Sequence, residues 1–155
     1  MRYFFLIVFI IFSGCSTKDY KTTKTKIIII KSPKLKFADV GYIRNSDDSL
    51  ELELFSAGKA VEKITINHLI CTTKGCMSKR GFNHDYLNKS YPDDILQNIL
   101  LSKTIYGSKN LIRKKDGFEQ KIKDKDVDIT YRVTPKVIFF KDRKNRIILK
   151  IKDTK

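Results

Sequence analysis

Strict alternation of apolar and polar residues is the feature that most limits what this chain can fold into. In residues 50–54 leucine alternates with glutamate, and in residues 127–133 apolar residues and tyrosine alternate with aspartate, threonine and arginine. Successive side chains of a β-strand point to opposite faces of a sheet, so the pattern predicts strands with one buried and one wet face. Further strands are predicted at residues 27–30, 35–43, 60–70, 111–113, 118–122, 137–140 and 147–151.

Helical spacing is confined to the middle of the chain. Residues 77–88 show a mixed helical pattern, and Tyr91-Pro92-Asp93-Asp94 is typical of a helix start. Proline is tolerated in the first turn, and acidic residues favour the positive end of the helix dipole. The apolar residues of 93–104 then fall on one stripe. This order of elements predicts an α+β fold, a curved and mostly antiparallel sheet (a half-open barrel) packed on one or two helices.

The first fifteen residues carry the pattern of an export signal. Met1-Arg2 is followed by ten apolar residues, Tyr3–Phe12. This run is shorter than the roughly 20 residues that span a bilayer, and it fits the apolar region of a cleavable signal peptide. The next residues, Phe12-Ser13-Gly14-Cys15, resemble the lipobox of bacterial lipoproteins, which implies that Cys15 is acylated. The alternative is an ordinary signal peptide with a chance cysteine.

That resemblance divides the chain into three parts. Residues 1–14 are the expected signal peptide, residues 15–26 the acylated N-terminus with a polar, flexible tether, and residues 27–155 a single α+β domain. Membrane lipid is then the partner of the N-terminus. Ser16 stands where lipoproteins retained in the inner membrane commonly carry Asp, so the resemblance implies a cell-envelope protein, lipid-anchored in the outer membrane and facing the periplasm.

Two cysteines remain after Cys15. Cys71 and Cys76 are an even pair in an oxidising compartment, and Gly75 allows the chain between them to bend tightly, so we predict a disulfide. A zinc site with His68 and His84 is the alternative, although the spacing fits no common zinc motif.

Motifs of known catalytic sites are missing from the sequence. It has neither a Gly-rich phosphate loop nor a Gly-x-Ser-x-Gly turn. His84-Asp85 is a weak candidate base, Asp93-Asp94 fits a helix N-terminus better than acid–base chemistry, and Asp124, Asp126 and Asp128 fit a solvated turn better than a calcium loop. We therefore predict no enzyme, no catalytic residues, no cofactor and no metal.

The formal net charge of +15 favours anionic partners, unless it reflects only a solvated surface. The lysines are scattered through strands and turns. They neither gather in one helix nor alternate with aromatic residues, so nucleic acid is not the expected partner. An anionic membrane surface is compatible with this distribution.

The order of elements resembles the LolB-like family of outer-membrane lipoprotein receptors. Residues 91–101 resemble that family's helix with its apolar motif, and residues 136–152 resemble its closing strands. The resemblance implies a carrier or receptor that binds lipid or acyl chains, including those of lipoproteins. The expected cavity is lined by Leu50, Leu52, Leu54, Ile95, Ile99, Ile138 and Phe140.

Two alternatives stay open. The same residues also suit a filled core without a cavity. The protein would then be an envelope scaffold or assembly factor that binds another envelope protein through a strand edge.

Overall fold

The computed structural model describes residues 19–154. In that part of the chain, eleven strands form one antiparallel sheet. The strands are β1 (Thr22–Lys31), β2 (Lys36–Asn45), β3 (Leu50–Ser56), β4 (Lys59–Ile66), β5 (Leu69–Thr72), β6 (Gly75–Ser78), β7 (Leu111–Lys114), β8 (Gly117–Lys123), β9 (Asp128–Val133), β10 (Val137–Asp142) and β11 (Ile147–Asp153). Helix α1 (Lys79–Tyr86), helix α2 (Ile95–Leu100) and a 3-10 helix (Tyr106–Ser108) lie between β6 and β7.

The strands run back and forth in two series that meet at β1. The order across the sheet is β6-β5-β4-β3-β2-β1-β11-β10-β9-β8-β7. Strand β1 pairs with β2 over its whole length, and on its other side Ile28 lies opposite Ile151 of β11. The first and last strands are therefore neighbours at the centre of the sheet.

Alternation gives the sheet an inner, buried face and an outer face. Leu50, Leu52 and Leu54 of β3 are buried on the inner face, where Ile64 and Ile66 of β4 lie opposite two of them. The side chains between these leucines point to the outer face. Inward side chains from both series of strands belong to one apolar cluster, which is the core of the protein.

The two helices are short and add a few side chains to that core. Ser78 caps α1, because its hydroxyl accepts a hydrogen bond from the Gly81 N–H at 3.0 Å. In α1 the rings of Phe82 and Tyr86 stack at 4.6 Å. Four of the six residues of α2 are buried.

The predicted fold class, an α+β half-open barrel packed on one or two helices, is wrong. The chain forms a single large antiparallel sheet with 54% strand and 12% helix, rather than a sheet packed on helices. The helix predicted over residues 93–104 spans only Ile95–Leu100. It ends there because Ser102 adopts a left-handed backbone with φ of 58°, which a helix does not continue. Helices of eight and six residues are too short to form a layer of their own.

The predicted tether overlaps the sheet. Strand β1 begins at Thr22, so residues 22–26 of the expected tether pair with residues 41–45 of β2. The expected signal peptide and the expected acylation site, Cys15, lie outside the described residues.

Candidate functional site

A cleft lies at the edge of the core, where the inner face of the sheet continues beyond the packed side chains. Its volume is about 350 Å³. The start of β1, the end of β2, the start of β3 and the turn between β9 and β10 contribute to its walls, together with residues 100–102, which comprise the last residue of α2 and the two residues after it. The cleft is thus assembled from segments far apart in the sequence.

The floor of the cleft is hydrocarbon. It is formed by buried side chains from four strands and from α2, namely Ile43, Leu50, Leu100, Ile138 and Ile151. Because these side chains come from the edge of the apolar core, a ligand in the cleft would pack against that core on its solvent side. Such a surface favours an apolar ligand group.

The mouth of the cleft is polar and basic. Thr22 and Lys24 are exposed, Lys26 is half-buried, and Lys136 from the β9–β10 turn is exposed. Lys26 pairs with Asp153 of β11. No ion pair among the described residues involves Lys24 or Lys136. These two ammonium groups are available to an anionic group at the mouth.

The register of β1 explains why a lysine rim adjoins an apolar floor. Thr22, Lys24 and Lys26 have the same parity as Ile28 and Ile30, so all five side chains point to the inner face. The first three residues project past the core, and the two isoleucines are buried within it. One strand therefore supplies both the polar mouth and part of the adjoining core.

The seven residues expected around a cavity are distributed between the cleft and the core. Leu50 and Ile138 line the cleft. The other five lie in the packed core: Leu52, Leu54, Ile95, Ile99 and Phe140.

Sequence reasoning misses the mouth of the cleft. It assigns Lys24 and Lys26 to the tether and Lys136 to a closing strand, whereas all three line the cleft. A usable signal is present, because threonine and lysine alternate directly before the isoleucines of β1. Alternation of two polar residue types leaves no apolar face, so by itself it does not predict a strand.

The predicted disulfide is confirmed. Cys71 and Cys76 lie directly opposite each other in the β5–β6 hairpin and are joined by a disulfide bond. The two sulfur atoms are bonded to each other, so they are not available as thiolate ligands for the alternative zinc site. The bridge closes the hairpin at one edge of the sheet.

The histidine candidate has a geometry that the sequence did not suggest. His84 and Asp85 are adjacent on α1, and the His84 Nδ1 atom lies 2.9 Å from an Asp85 oxygen. The hydrogen bond from His84, together with Lys34, lowers the pKa of the Asp85 carboxyl group. Both side chains are exposed.

The remaining acidic candidates have structural roles. Asp94 is the N-cap residue of α2, and its carboxylate accepts a hydrogen bond from the Asn98 amide at 2.7 Å. Asp124 accepts the backbone N–H groups of Asp126 and Val127, at 2.7 and 3.0 Å, and these bonds lower the pKa of its carboxyl group. Among the described residues, no group of three or more His, Cys, Asp or Glu side chains is placed to hold a metal ion.

A charged cluster lies on the outer face, where Tyr20 packs against β2, β3 and β4. The Glu51 carboxylate accepts hydrogen bonds from Tyr20 (2.9 Å), Arg44 (3.0 Å) and Lys63 (2.9 Å). Burial alone would raise the pKa of Glu51, but the bonds from Lys63, Tyr20 and Arg44 lower it. The guanidinium carbon of Arg44 lies 5.6 Å from the Tyr20 ring centroid. This cluster fixes the chain before β1 on the outer face.

A second buried carboxylate organises the turn between β10 and β11. Asp142 accepts hydrogen bonds from the Tyr91 hydroxyl and the Asn145 amide, both at 2.7 Å, and from backbone N–H groups of Asp128 and Lys144. Burial, and then the bond to Asp142, raise the pKa of Tyr91. This arrangement ties the segment before α2 to the end of β10.

No helix in residues 19–154 has the length and apolar character needed to cross a membrane.

Comparisons of the chain with protein families, with curated proteins and with solved structures found no match.

Proposed function

We propose that this protein is a lipid-anchored protein of the cell envelope that binds one acyl chain of an anionic amphiphile in the cleft. The observation that carries the proposal is the pairing of a buried apolar floor with a lysine rim on one continuous face. A fatty acid has the matching chemistry, because its tail is hydrocarbon and its carboxylate is anionic.

The volume of the cleft limits the size of the ligand. About 350 Å³ is near the lower end of the range of about 300–1,000 Å³ that small-molecule sites occupy. This favours a single chain over the three acyl chains of a complete lipoprotein anchor. The proposed ligand is therefore a fatty acid, or one chain of a lipid whose remaining chains stay elsewhere.

The anchoring part of the proposal depends on the lipobox-like residues 12–15. Acylation at Cys15 would place the protein on the outer membrane, facing the periplasm, where acyl chains are abundant. Two acyl-chain contacts would then serve different purposes, one as the anchor and one as cargo in the cleft. Each buried methylene of an anchor contributes about 0.8 kcal/mol to membrane attachment.

The alternative of a scaffold that binds a protein through a strand edge has weaker support. The two edge strands, β6 and β7, have four residues each, and short edge strands pair poorly with another chain. Ile112 on β7 is 53% exposed, which is the main feature that favours this alternative. A partner captured by crosslinking at residue 112, together with no acyl-chain binding, would support the scaffold.

Palmitate binding to the purified full chain tests the carrier proposal. Thr22→Trp places a bulky side chain at the mouth of the cleft, and Thr23→Trp makes the same change on the next, outward-facing residue. We expect the first variant to lose palmitate binding and the second to retain it. Equal binding by the two variants would contradict a site in the cleft.

Charge reversal at the rim tests how the head group is recognised. Lys24→Glu combined with Lys136→Glu replaces two attractions to the palmitate carboxylate with two repulsions. An exposed pair of charges at 4 Å contributes about 1 kcal/mol, so we expect at least about a tenfold loss of palmitate affinity. Hexadecanol has the same tail without a charge and should bind both forms equally. The matched control reverses Lys59, the first residue of β4, and Lys115, in the β7–β8 turn, neither of which lines the cleft.

A further inference from the structure

The outer face of the central strands carries a surface with the composition of a membrane-binding site. The register places Ile27 beside Lys152, and Ile29 beside Lys150, all pointing outward. On the next strand, Phe139 lies beside Lys150 on the same face. The basic outer face consists of Ile27, Ile29, Phe139, Lys141, Lys150 and Lys152.

Cationic and apolar side chains are interleaved on this face. Lys150 lies between Ile29 and Phe139, and both flanking side chains are half-buried. Lys150 is itself half-buried, as expected when a lysine stem packs along apolar neighbours and its ammonium group reaches outward. A depression of about 390 Å³ lies between Phe139, Lys150 and their neighbours. The surface therefore offers hydrocarbon and positive charge at the same depth.

The outer face of the four described central strands carries no carboxylate. In the described strands β1, β2, β10 and β11, none of the outward-pointing positions is Asp or Glu. The carboxylates of these strands, on Asp39, Asp142 and Asp153, belong to positions that point to the inner face. Charge of one sign on the outer face of adjacent strands favours an anionic partner.

We propose that the basic outer face lies on an anionic phospholipid bilayer. The lysine ammonium groups are attracted to the anionic head groups, and the interleaved isoleucine and phenylalanine side chains insert at the level of the head groups. A bilayer is extended and anionic, so it matches an extended, basic and half-apolar face.

The position of Tyr20 supports the same orientation. Tyr20 is bound to Glu51 on the outer face of the sheet. The chain between Cys15 and Tyr20 spans at most about 18 Å when fully extended. If Cys15 is acylated, as in the proposed function, the anchor keeps the outer face close to the bilayer. Only this step depends on the proposed function, because the charge pattern stands by itself.

This orientation leaves the cleft free, since its floor and rim point to the inner face. The protein would thus attach to the membrane with one face of the sheet and bind its ligand with the other.

Covalent labelling of lysines on the full chain in vesicles tests the orientation. The vesicles are phosphatidylcholine alone, or phosphatidylcholine mixed with phosphatidylglycerol, and an amine-reactive acetylating reagent is read out by mass spectrometry. In the anionic vesicles we expect Lys141, Lys150 and Lys152 to react at least about threefold more slowly than in the neutral ones, an effect that high salt reverses. The exposed lysines Lys59 and Lys115 should react equally in both kinds of vesicle.

A charge-reversal pair provides the matched control. Lys150→Glu with Lys152→Glu should restore the reactivity of Lys141 in anionic vesicles, whereas Lys59→Glu with Lys115→Glu should leave Lys141 protected. Protection that does not depend on phosphatidylglycerol, or that is equal in the two variants, would overturn the proposal. Palmitate binding is measured separately through the cleft variants, so a failure here is distinguishable from a failure of the proposed function.

Discussion

Replacement of Glu51 by glutamine removes the charge at the centre of the outer-face cluster while keeping the shape of the side chain. The Glu51 side chain is 1% exposed, whereas its partners Arg44 and Lys63 are 20% and 50% exposed. Glu51→Gln therefore removes the ion pairs with Arg44 and Lys63, turns the hydrogen bond from Tyr20 into a neutral one, and leaves one accepting oxygen in place of two.

The expected loss follows from these contacts. A neutral bond from Tyr20 is weaker than the charge-assisted one by about 1 kcal/mol, and the lost attraction to Arg44 and to Lys63 costs about 1 kcal/mol each, so the total loss is about 3 kcal/mol. Arg44 and Lys63 regain water in the variant because they are partly exposed, which reduces the loss to about 2 kcal/mol. For a domain of this size, that corresponds to a decrease in Tm of about 7 °C.

The pH dependence of this loss provides the more specific assay. The folded-state pKa of Glu51 is lowered, so its ionised form stabilises the fold above the ordinary glutamate pKa, and this contribution is lost as the pH falls through the folded value. Urea denaturation should show the difference between native and variant protein at pH 7 and its progressive loss as the pH falls below the ordinary glutamate pKa.

Glu53→Gln is the matched control. Glu53 lies on the same strand and the same face, and its ion pair is with Arg44. Its side chain is more exposed than that of Glu51, so we expect a loss below about 1 kcal/mol. Equal losses in the two variants, or a loss at Glu51 that persists in acid, would refute the reasoning.

Three further predictions concern the sheet and its turns. Cys71→Ser with Cys76→Ser should lower the free energy of unfolding by about 2 kcal/mol, and dithiothreitol should have the same effect on the native protein and none on the variant; an additional effect on the variant would contradict this. Asp142→Asn removes the negative charge from a buried hydrogen-bonded cluster. It should lower the free energy of unfolding, measured by urea denaturation, by about 2–3 kcal/mol, and an unchanged free energy of unfolding would contradict this. Gly117 has φ of 147°, and a Cβ atom there would lie 2.0 Å from a β9 carbonyl oxygen, whereas Gly58 has open space. Gly117→Ala should therefore lower Tm far more than Gly58→Ala, and similar values would contradict the close contact.

The strands could be predicted where apolar residues alternate with charged ones. Leu50, Leu52 and Leu54 identify a buried face because burial on one side is visible in the sequence itself. The first five residues of β1 could not be found in this way, since neither side of residues 22–26 is apolar. Their strand conformation is set by pairing with β2, which is a property of the register and not of local composition.

The cleft was harder to predict than the strands, for a related reason. Apolar alternation selects Leu50 and Ile138 together with residues deep in the core, because it does not separate the margin of a core from its centre. The margin is set by where α2 ends. The helix ends at Leu100, two residues before a left-handed Ser102, and serine is a residue type that does not signal such a conformation. The lysine rim then follows from strand order, which brings the start of β1 beside the end of β11.

Direct observation of palmitate in the cleft is the most decisive measurement. With carbon-13 labelled palmitate bound to the full chain, nuclear Overhauser contacts should join the ligand tail to methyl groups of Ile43, Leu50 and Ile138. The same spectra should show no contact with Ile29, which points to the outer face. Contacts with Ile29, or no contacts with the three floor residues at saturating palmitate, would contradict the central claim.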